Sequence, residues 1–353
     1  MELKIIEPKT KKAKPTGNLG FGKIFTDRMF VMEYANGAWG NARIQPYEPF
    51  VLEPSSSVFH YGQAVFEGMK AYKNEKGEVR LFRPRDNFNR MNDSNDRICI
   101  PRIDVEFALE ALKKLVLLEK DWIPTEPGTA LYIRPSIIAV DRALGVHAAH
   151  NYIFFIILSP VGAYYAHGLE PVGLYVEREY VRASKGGTGH HKVVGNYAAS
   201  LKAGEKANAL GYDQVMWLDA KEHKYVEEVG SMNIFFVLNG KAVTPELGGS
   251  ILPGVTRRSV IELFKSKGIT VEERLVSINE VVDGVISGKC TEIFGSGTAA
   301  VISPVGKICY NDTDYVVGGG KMGELSMLAY NELTGIQTGK IPDPFGWVMK
   351  ISD

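Results

Sequence analysis

The sequence lacks the features that would indicate several common classes of protein. Lysine plus arginine and aspartate plus glutamate both number 41, so the formal net charge is zero and no overall field favours nucleic acid. No apolar run reaches the ~18 residues needed to span a bilayer. The N-terminus has no apolar core of signal-peptide length. We therefore expect a cytoplasmic protein that binds neither nucleic acid nor a membrane.

Cysteine is rare, and the spacing typical of metal ligands is missing. Cys99, Cys290 and Cys309 are odd in number and far apart, which argues for a reducing compartment and against a disulfide framework. We expect all three to be small, buried hydrophobic side chains. His190 and His191 are adjacent and cannot share a helical face, and no carboxylate completes a zinc pattern with them. The sequence predicts no metal centre.

Two familiar phosphate-binding motifs are also absent. The stretch GGGKMG, which begins at Gly318, lacks both the upstream glycine spacing of a P-loop and a serine or threonine after its lysine. No G-x-G-x-x-G follows a predicted strand, so a dinucleotide-binding fold is not indicated either.

The chain does have the composition of a folded globular protein, with 45% hydrophobic and 23% charged residues. Its 353 residues suit two domains. The first half mixes a helix predicted over 105–122 with strand-like runs, of which 151–158 is nearly all apolar and is expected to be covered on both faces. A run rich in glycine and small residues over 161–173 is the best candidate for the interdomain connection.

The second half alternates predicted strands with helices. Strands are expected over 173–183, 214–219 and 231–240, and helices over 196–211 and 253–268. The last helix begins at Pro253-Gly254 and ends at Gly268, which is a well-punctuated pattern.

Lys192 is the first candidate for chemistry. It stands in S-K-G-G-T-G-H-H-K-V-V-G-N-Y, residues 184–197, in a passage predicted to lead from a strand to a helix. A lysine that forms a Schiff base must be neutral for part of its cycle, which partial desolvation favours. A lone lysine is more often a surface residue, as the neighbouring Lys185 illustrates.

Two acidic residues in V-E-E-V-G-S-M-N, residues 226–233, form the second candidate. A pyridoxal ring withdraws electrons best when its pyridine nitrogen is protonated, and a nearby carboxylate stabilises that proton. Glu227 or Glu228 could serve, and the alternation of side chains along a strand lets only one face inward. The alternative is a pair of solvated glutamates on an edge strand.

Two further stretches could bind an anion through backbone amides. L-P-G-V-T-R, from Leu252 to Arg257, offers N–H groups at a predicted helix start, where the helix dipole also favours a phosphate. G-S-G-T-A, from Gly295 to Ala299, follows a predicted strand and can form a nest of amides with a hydroxyl. Either stretch could instead be an ordinary turn.

Five motifs in order resemble the branched-chain aminotransferases, which are pyridoxal-phosphate enzymes of fold type IV. They are H-Y-G-Q-A-V-F-E-G-M-K-A, R-L-F-R-P-R-D-N-F-N-R-M, L-Y-I-R-P, K-V-V-G-N-Y with E-E-V-G-S-M-N, and L-P-G-V-T-R with F-G-S-G-T-A. The match runs from Phe21 to the C-terminus. It implies a mixed α/β (α+β) fold with a small, open α/β domain over 1–161, an interdomain loop over 162–172 and a larger pseudo-barrel domain that binds the cofactor over 173–353.

The resemblance also implies how pyridoxal 5'-phosphate is bound. Lys192 would hold the cofactor covalently and move the α-proton of the substrate. Tyr197 would hydrogen-bond the ring oxygen, Glu228 rather than Glu227 would face the pyridine nitrogen, and Leu252 would press on one ring face. The groups implied for the phosphate are Arg90, the amides of Val255 and Thr256, and Thr298.

A further set of residues is implied for the substrate. Those that would meet the α-carboxylate are Tyr132, Ser231 and the amides of Thr298 and Ala299. Those that would form an apolar pocket are Phe21, Phe66 and Tyr164, together with Tyr61, Leu144 and Val146 from the partner subunit of a homodimer. Arg134 would meet the γ-carboxylate of glutamate at the pocket mouth.

The implied activity is transamination between L-leucine, L-isoleucine or L-valine and 2-oxoglutarate, with branched 2-oxo acids and L-glutamate as products. One methylene changes discrimination by only ~1–3 kcal/mol, so a single apolar pocket is expected to accept all three amino acids. Within the same fold, the alternatives are a D-amino-acid aminotransferase and an aminodeoxychorismate lyase. From a different class, the alternative is a non-catalytic protein that binds pyridoxal phosphate.

Overall fold

The computed structural model describes residues 1–162 and 169–351, which form two compact units. The first unit contains the described residues 1–162, 192–194 and 335–351, and the second contains 169–191 and 195–334. Two segments, 192–194 and 335–351, lie in the first unit although the predicted ranges place them in the second domain. Backbone pairing is the reason: Val193 forms a β-bridge with Val65, and the C-terminal strand Val348–Ile351 pairs with Val79–Phe82.

Strands and helices are distributed through both units. The strands in the described residues are β1 (Lys4–Ile5), β2 (Arg28–Ala35), β3 (Ala38–Pro46), β4 (Ala64–Phe66), β5 (Met69–Lys73), β6 (Val79–Phe82), β7 (Ala130–Ala139), β8 (Tyr152–Val161), β9 (Val172–Val176), β10 (Gln214–Leu218), β11 (Val226–Val229), β12 (Met232–Leu238), β13 (Lys241–Pro245), β14 (Val271–Arg274), β15 (Cys290–Gly297), β16 (Val301–Tyr310), β17 (Thr313–Val316) and β18 (Val348–Ile351). The α-helices are α1 (Ser57–Tyr61), α2 (Pro84–Arg97), α3 (Val105–Leu118), α4 (Gly195–Ala198), α5 (Leu201–Ala209), α6 (Val255–Ser266), α7 (Ile278–Ile286) and α8 (Glu324–Thr338). Among the described residues, no helix has the length and apolar character to cross a lipid bilayer.

The first unit is organised around one sheet, in the order β1-β3-β2-β8-β7-β5-β6-β18, with β4 paired to β7. Helix α3 packs against this sheet through apolar residues at helical spacing, such as Leu109, Leu112 and Val116, which are all buried. The helix begins where the Asp104 side chain accepts hydrogen bonds from the N–H groups of Glu106 and Phe107, as an N-cap residue does. The predicted helix over 105–122 is therefore confirmed as far as Leu118.

Strand β8 is less enclosed than its composition suggested. Along its first half, Tyr152, Phe154 and Ile156 are fully buried, whereas the intervening Ile153 and Phe155 are only partly buried. The expectation that both faces of 151–158 are covered was wrong, because side chains alternate along a strand and only one face of this half meets the core.

A closed ring of strands is the framework of the second unit. The sheet order is β11-β10-β9-β16-β15-β12-β13-β14, and an additional pairing of β11 with β12 closes six strands into a barrel. The members of the ring are β9, β10, β11, β12, β15 and β16. This closure confirms the predicted α+β fold with a barrel-like second domain.

Two predicted elements of the second unit are shorter than expected. The helix predicted over 196–211 is divided into α4 and α5, and the strand predicted over 173–183 ends at Val176. The chain turns after Val176 because the buried carboxylate of Glu177 accepts hydrogen bonds from the backbone N–H groups of Arg178, Glu179 and Tyr180. The helix predicted over 253–268 is confirmed as α6, with each end two residues inside the prediction.

The three cysteines are free thiols with different environments. Cys290 and Cys309 are buried, as expected, whereas Cys99 is exposed. The expectation of burial was wrong for Cys99 because it lies in a tight turn after α2, with a left-handed φ of 60°.

Candidate active site

Lys192 is fixed to the first unit by its own backbone. Its N–H donates to Ser94 Oγ at 2.9 Å, and its carbonyl oxygen accepts from the N–H of Phe66 at 3.2 Å. The side chain is half-buried, and Nζ lies 4.9 Å from the centroid of the Phe66 ring. The Lys192 side chain therefore extends from a backbone that two hydrogen bonds hold in place. Its amine lies against an apolar ring that partly shields it from water.

A buried ion pair neighbours this lysine. Arg90, in α2, donates from Nε and Nη2 to the two carboxylate oxygens of Glu67, each at 2.8 Å, and Asn87 donates to the same carboxylate at 2.9 Å. Burial by itself raises the pKa of Glu67, but the charges of Arg90 and Lys192 outweigh it and the pKa lies below its usual value. Glu67 is thus an anion that orients Arg90 and interacts with Lys192.

Sequence reasoning assigned no role to Glu67, although it stands in the quoted motif F-E-G. The available signal was an acidic residue at the end of an apolar run, directly followed by glycine. Its partner Arg90 lies 23 residues away in the chain, so the pairing depends on the way α2 packs beside β4 and not on a local pattern.

An apolar group that includes one cation forms on β7 and its neighbours. Tyr132 and Arg134 are two residues apart on β7, so their side chains point to the same face of the strand. Arg134 Nη2 donates to the Tyr132 hydroxyl at 3.0 Å. The guanidinium carbon lies 4.6 Å from the centroid of the Phe66 ring, and the Phe21 and Tyr132 rings meet edge to face at 5.0 Å. The structure therefore brings together four of the predicted substrate residues.

Two further observations describe the surroundings of Tyr132 and Arg134. A Cβ atom at Gly68 would clash with the hydroxyl of Tyr132, so only glycine leaves room for that ring. Arg134 Nε is buried, and no hydrogen-bond partner for it is found among the described residues. Burying a donor of a charged group without a partner is costly. The geometry suits an anionic ligand group beside Arg134.

Three other predicted pocket residues lie on the surface of the first unit. Tyr61, Leu144 and Val146 are 41%, 68% and 82% exposed. The Tyr61 hydroxyl donates to the carbonyl oxygen of Leu144, which connects α1 to the loop after β7. Tyr164, the remaining predicted pocket residue, lies outside the described residues.

In the second unit, a row of polar side chains crosses three strands of the barrel. Glu228 on β11 is the register partner of Asn233 on β12, which is in turn the partner of Ser296 on β15. Direct partners in antiparallel strands point to the same face, with about 5 Å between neighbours. The three side chains are buried, and Ser296 Oγ has no hydrogen-bond partner among the described residues.

This row holds Leu252 by both of its backbone groups. The N–H of Leu252 donates to Glu228 Oε1 at 2.7 Å, and its carbonyl oxygen accepts from Asn233 Nδ2 at 2.9 Å. Arg182 Nε lies 3.2 Å from the other carboxylate oxygen of Glu228. A Cβ atom at Gly254 would clash with the Asn233 side chain, which explains the glycine there. Leu252 is thereby fixed beside the carboxylate predicted to face the pyridine nitrogen.

The predicted anion-binding residues lie next to the same row. Val255 and Thr256 are buried at the first two positions of α6, and Gly254 provides no side-chain cap for the helix. The first N–H groups of a helix have no intrahelical acceptor and favour an anion. Thr298 and Ala299 are half-buried in the turn between β15 and β16, directly after the strand that carries Ser296.

The remaining two predicted residues of the second unit are less enclosed. Tyr197 is half-buried in α4, whereas Ser231 is exposed in the turn that joins β11 to β12. In the second unit, therefore, contacts bring Glu228 and Leu252 together, and the register of the strands places the turn with Thr298 near them. The position of Ser231 follows only from its place in the turn between β11 and β12.

Both glutamates of the V-E-E-V segment are buried, so solvated edge residues are excluded. Glu228 contacts Leu252 and Arg182, whereas Glu227 accepts a hydrogen bond from the Ser250 hydroxyl. Burial is the largest effect on Glu227 and raises its pKa to about 7. The prediction that only one of the two can face inward was wrong: the pairing of β10 with β11 shifts register between Trp217 and Leu218, which makes Glu227 an extra residue in β11, and both side chains are buried.

We expect the variant Glu227→Gln to be more stable than the wild type at alkaline pH. The pKa of Glu227 is about 7 in the folded protein against an ordinary value of 4.5, so the wild type loses stability as pH rises from 4.5 through 7. Glutamine keeps an acceptor for Ser250 but does not ionise. Unfolding in denaturant should show a gain of up to about 3 kcal/mol at pH 8 that disappears towards pH 4.5.

The matched control for this measurement is Glu246→Gln, since Glu246 is exposed in the same unit. Its unfolding free energy should follow that of the wild type at both pH values. An equal gain for Glu227→Gln at pH 4.5 and pH 8 would contradict a role for ionisation.

Comparison with known families and proteins agrees with this geometry. Residues 64–308 match the family model described as amino-transferase class IV. The chain is 58% identical to branched-chain-amino-acid transaminase 1 of Bacillus subtilis, over 96% of each chain. It is 54% identical to branched-chain-amino-acid aminotransferase 2 of the same organism, over 97% of this chain and 95% of the relative.

Solved structures with the same fold lead to the same family. The branched-chain amino acid aminotransferase of Escherichia coli superimposes with a TM-score of 0.75 at 28% identity, over 93% of this chain and 99% of that one. The enzyme of Thermobaculum terrenum, solved in its PLP-form, gives a TM-score of 0.76 at 25% identity, over 92% of this chain and 98% of that one. The chain therefore belongs to the class IV amino-transferases and, within them, to the branched-chain-amino-acid aminotransferases of fold type IV.

Proposed function

We propose that this chain is a pyridoxal-phosphate-dependent aminotransferase that exchanges amino groups between L-leucine, L-isoleucine or L-valine and 2-oxoglutarate. The observation that carries the proposal is the half-buried Lys192 amine against Phe66, in a unit where Phe66 and Tyr132 also enclose the cation of Arg134. An amine that can attack a carbonyl thus lies near an apolar pocket with a charged group. That combination suits an enzyme whose substrates have either an aliphatic or an acidic side chain.

The residues present fit the cofactor. Lys192 would hold its aldehyde carbon covalently, and Glu228 would stabilise the proton on the pyridine nitrogen. Leu252 would pack on the ring, and Tyr197 would donate to the ring oxygen. The fit is supported by the buried hydroxyl of Ser296, for which the described residues offer no partner, and by the α6 start, which lacks a side-chain cap.

The phosphate would be held by neutral hydrogen-bond donors and by one positively charged side chain. The amides of Val255 and Thr256 and the Thr298 side chain would supply neutral donors. Arg90 would supply the positive charge, and its fork is already oriented by the two contacts with Glu67. Since Glu67 is ionised and buried, it also keeps this guanidinium from adopting other positions.

The bound cofactor supplies an electron sink for the pair of electrons left at the substrate α-carbon. The chain's own contribution is to move the proton. The amino group of the substrate would first displace Lys192 from the aldehyde carbon, and the freed Lys192 Nζ would then take the proton from the substrate α-carbon as general base and return it to that cofactor carbon, which carries the amino group at the end of the half-reaction. The backbone contacts of Lys192 with Ser94 and Phe66 limit the movement to the side chain. Proton transfer needs this positional control because it occurs only over hydrogen-bond distances.

Substrate selection would depend on the group around Tyr132. Phe21 and Phe66 would contact an aliphatic side chain, while Tyr132, Ser231 and the amides of Thr298 and Ala299 would bind the α-carboxylate. When glutamate occupies the site, Arg134 would bind its γ-carboxylate. When leucine is bound, the Tyr132 hydroxyl and the aromatic faces remain as partners for the guanidinium.

Replacing Arg134 with methionine should separate the two substrate classes. Methionine keeps much of the apolar stem but removes the charge, so KM for 2-oxoglutarate should rise about 10–100-fold, as expected for the loss of one charged hydrogen bond. KM for L-leucine should change by no more than about twofold, because one aliphatic contact is replaced by another. Steady-state kinetics of both half-reactions measures this difference.

A suitable control is Arg102→Met, since Arg102 is 60% exposed on the first unit. Its kinetics should equal those of the wild type for both substrates. If Arg134→Met impaired leucine and 2-oxoglutarate to the same extent, Arg134 would support the pocket as a whole and would not recognise the γ-carboxylate.

A homodimer is part of the proposal. Tyr61, Leu144 and Val146 are large, exposed and adjacent in the loop and helix that carry them. Exposed apolar groups of this kind are typical of surfaces that another molecule covers. We propose that a second copy of the chain covers them and receives Tyr61, Leu144 and Val146 in its substrate pocket. Sedimentation of the purified protein should then give the mass of a dimer.

The experiment that tests the function is a comparison of amino donors in a single half-reaction. L-Leucine, L-isoleucine and L-valine should each convert the spectrum of the bound cofactor to that of its amine form, while D-alanine should not. Conversion by D-alanine without L-leucine would indicate the D-amino-acid aminotransferase instead, although the relatives at 54–58% identity do not favour that alternative.

A further inference from the structure

Three side chains that the proposed function does not use converge in the loop after β7. Asp141 is buried, and its Oδ2 lies 3.1 Å from His147 Nε2 and 3.3 Å from His150 Nδ1. One ligand atom from each of the three lies within 4.8 Å of the others. In a tetrahedral zinc site with bonds of about 2.0–2.2 Å, ligand atoms are separated by roughly 3.3–3.6 Å. The two distances from Asp141 Oδ2 to the imidazole nitrogens lie within a few tenths of an ångström of that range.

The contacts of His147 require a positive charge between its ring and Asp141. Its Nδ1 lies 2.8 Å from the carbonyl oxygen of Gly145, which can only accept, so the ring proton is on Nδ1. In the neutral ring Nε2 then has a lone pair, yet it faces Asp141 Oδ2, which also accepts. Two acceptors at 3.1 Å repel each other unless a positive species lies between them. That species is either a proton on Nε2 or a metal ion shared with the carboxylate.

The contact between His147 and Gly145 is also the arrangement that metal-binding histidines show. Such a histidine donates its second ring N–H to a carbonyl or carboxylate, which fixes the tautomer and the orientation of the ring. The ring of His150 stacks beside that of His147, with the centroids 5.8 Å apart and an angle of 29° between the planes. Both imidazoles are therefore positioned around the same carboxylate.

The Asp141 carboxylate is held in place by two backbone N–H groups and one side-chain amide. Oδ1 accepts from the N–H of Asn151 at 2.8 Å and from its side-chain amide at 2.9 Å, while Oδ2 accepts from the N–H of His150 at 2.9 Å. These three hydrogen bonds keep the carboxylate from turning away.

We propose that Asp141, His147 and His150 form a binding site for a divalent transition metal ion, of which zinc fits the ligands best. Two imidazoles and one carboxylate suit zinc, and they leave a fourth position open for water or another ligand. Because His147 and His150 are exposed, an ion can enter from solvent. Binding requires no rearrangement of the core, since the carboxylate is already oriented.

The metal would also stabilise the loop that contains Leu144 and Val146. These residues lie in the chain between Asp141 and His147, so an ion bound at both ends closes the loop. If the proposed function is correct, the ion would thereby position two residues of the substrate pocket. This consequence depends on the proposed function, whereas the metal site itself does not.

Metal analysis of the holoenzyme tests the site without reference to activity. The protein, freed of any histidine tag and treated with a chelator, is titrated with zinc, separated from free metal by gel filtration and analysed for zinc by mass spectrometry. The wild type should bind one zinc ion per subunit. Cobalt in place of zinc should give the visible absorption of a four-coordinate site.

Two ligand variants and one control complete the experiment. His150→Ala and His147→Ala should each weaken zinc binding at least about tenfold, since loss of even a supporting group of a metal site costs 10–100-fold. The His150 side chain is 82% exposed, so its removal leaves the fold intact. His60→Ala, which removes another exposed histidine of the first unit, should bind zinc as the wild type does.

Either of two results would overturn the proposal. The first is a wild type that retains no zinc under these conditions, which would mean that a proton on His147 balances Asp141. The second is equal zinc binding by the wild type and His150→Ala, which would locate the metal elsewhere on the holoenzyme. Neither outcome changes the expected kinetics of the Arg134 variant, so failure of the metal site is distinguishable from failure of the proposed function.

Discussion

Replacing Lys192 with alanine is expected to reduce transamination by a factor on the order of 10⁴ or more. Two contributions are lost together, namely the covalent bond to the cofactor and the base that moves the α-proton. Alanine retains the N–H that donates to Ser94 Oγ and the carbonyl oxygen that accepts from Phe66. The folded structure should therefore survive, and a loss of activity would report on the amine alone.

The chain offers a matched control for this variant. Lys185 lies seven residues earlier in the same glycine-rich stretch and is exposed. Lys185→Ala should keep the wild-type turnover and the absorption of the covalently bound cofactor, and both should disappear in Lys192→Ala. Borohydride reduction followed by peptide mapping should label residue 192 in the wild type and in the control.

A small primary amine added to Lys192→Ala provides a second readout. Because the added amine can replace the missing base, it should restore part of the proton transfer, which would not occur if the substitution had disturbed the fold. Retention of more than about a hundredth of the wild-type turnover by Lys192→Ala would contradict the role of general base, since base catalysis alone contributes 10²–10⁴-fold.

Replacing Glu228 with glutamine is expected to lower kcat by roughly 10²–10³-fold, the usual effect of removing one preorganised electrostatic group. Glutamine keeps an oxygen that accepts from the N–H of Leu252, while its amide nitrogen replaces the oxygen that faces Arg182. What disappears is the negative charge proposed to stabilise the protonated pyridine nitrogen. Turnover should fall in both half-reactions, with little change in KM, because substrate contacts are untouched.

Glu227→Gln is the control for this second prediction. The two residues are adjacent on β11, and both are buried and acidic, but Glu227 contacts Ser250 and has no part in the proposed machinery. Its kcat should remain within about twofold of the wild type, while its stability changes with pH as described above. Equal losses of kcat in the two variants would mean that the total charge on β11 matters and that neither glutamate has a specific role.

The environment of the neighbouring residues Glu227 and Glu228 could not be predicted from the sequence. Alternation along a strand predicts that only one of Glu227 and Glu228 faces inward, and this was wrong because both side chains are buried. The pairing of β10 with β11 shifts register between Trp217 and Leu218, which makes Glu227 an extra residue in β11, and both glutamates contact the segment 250–252. A strand period predicts directions only where the pairing is regular, whereas bulges and the environment on each side are set by elements that are distant in the chain.

The partners of charged residues could not be predicted from the sequence either. Arg90 was predicted from its motif, but Glu67, 23 residues away, was not. The exposed His147 and His150 lie within ten residues of Asp141, yet only the turn after β7 directs all three to one point. Side-chain convergence depends on backbone direction at each residue, which composition and spacing do not contain.

Helix positions and the family, by contrast, could be predicted from the sequence. The apolar spacing over 105–118 and the Pro253-Gly254 to Gly268 pattern determined α3 and α6, because helix periodicity and end signals act over a few residues. The ordered motifs around Lys192, Glu228 and Leu252 determined the family. Only the tertiary structure decided that Glu67 holds Arg90, that Asn233 and Glu228 fix Leu252, and that Cys99 is exposed. These features depend on long-range contacts, whose partners become neighbours only when the sheets form.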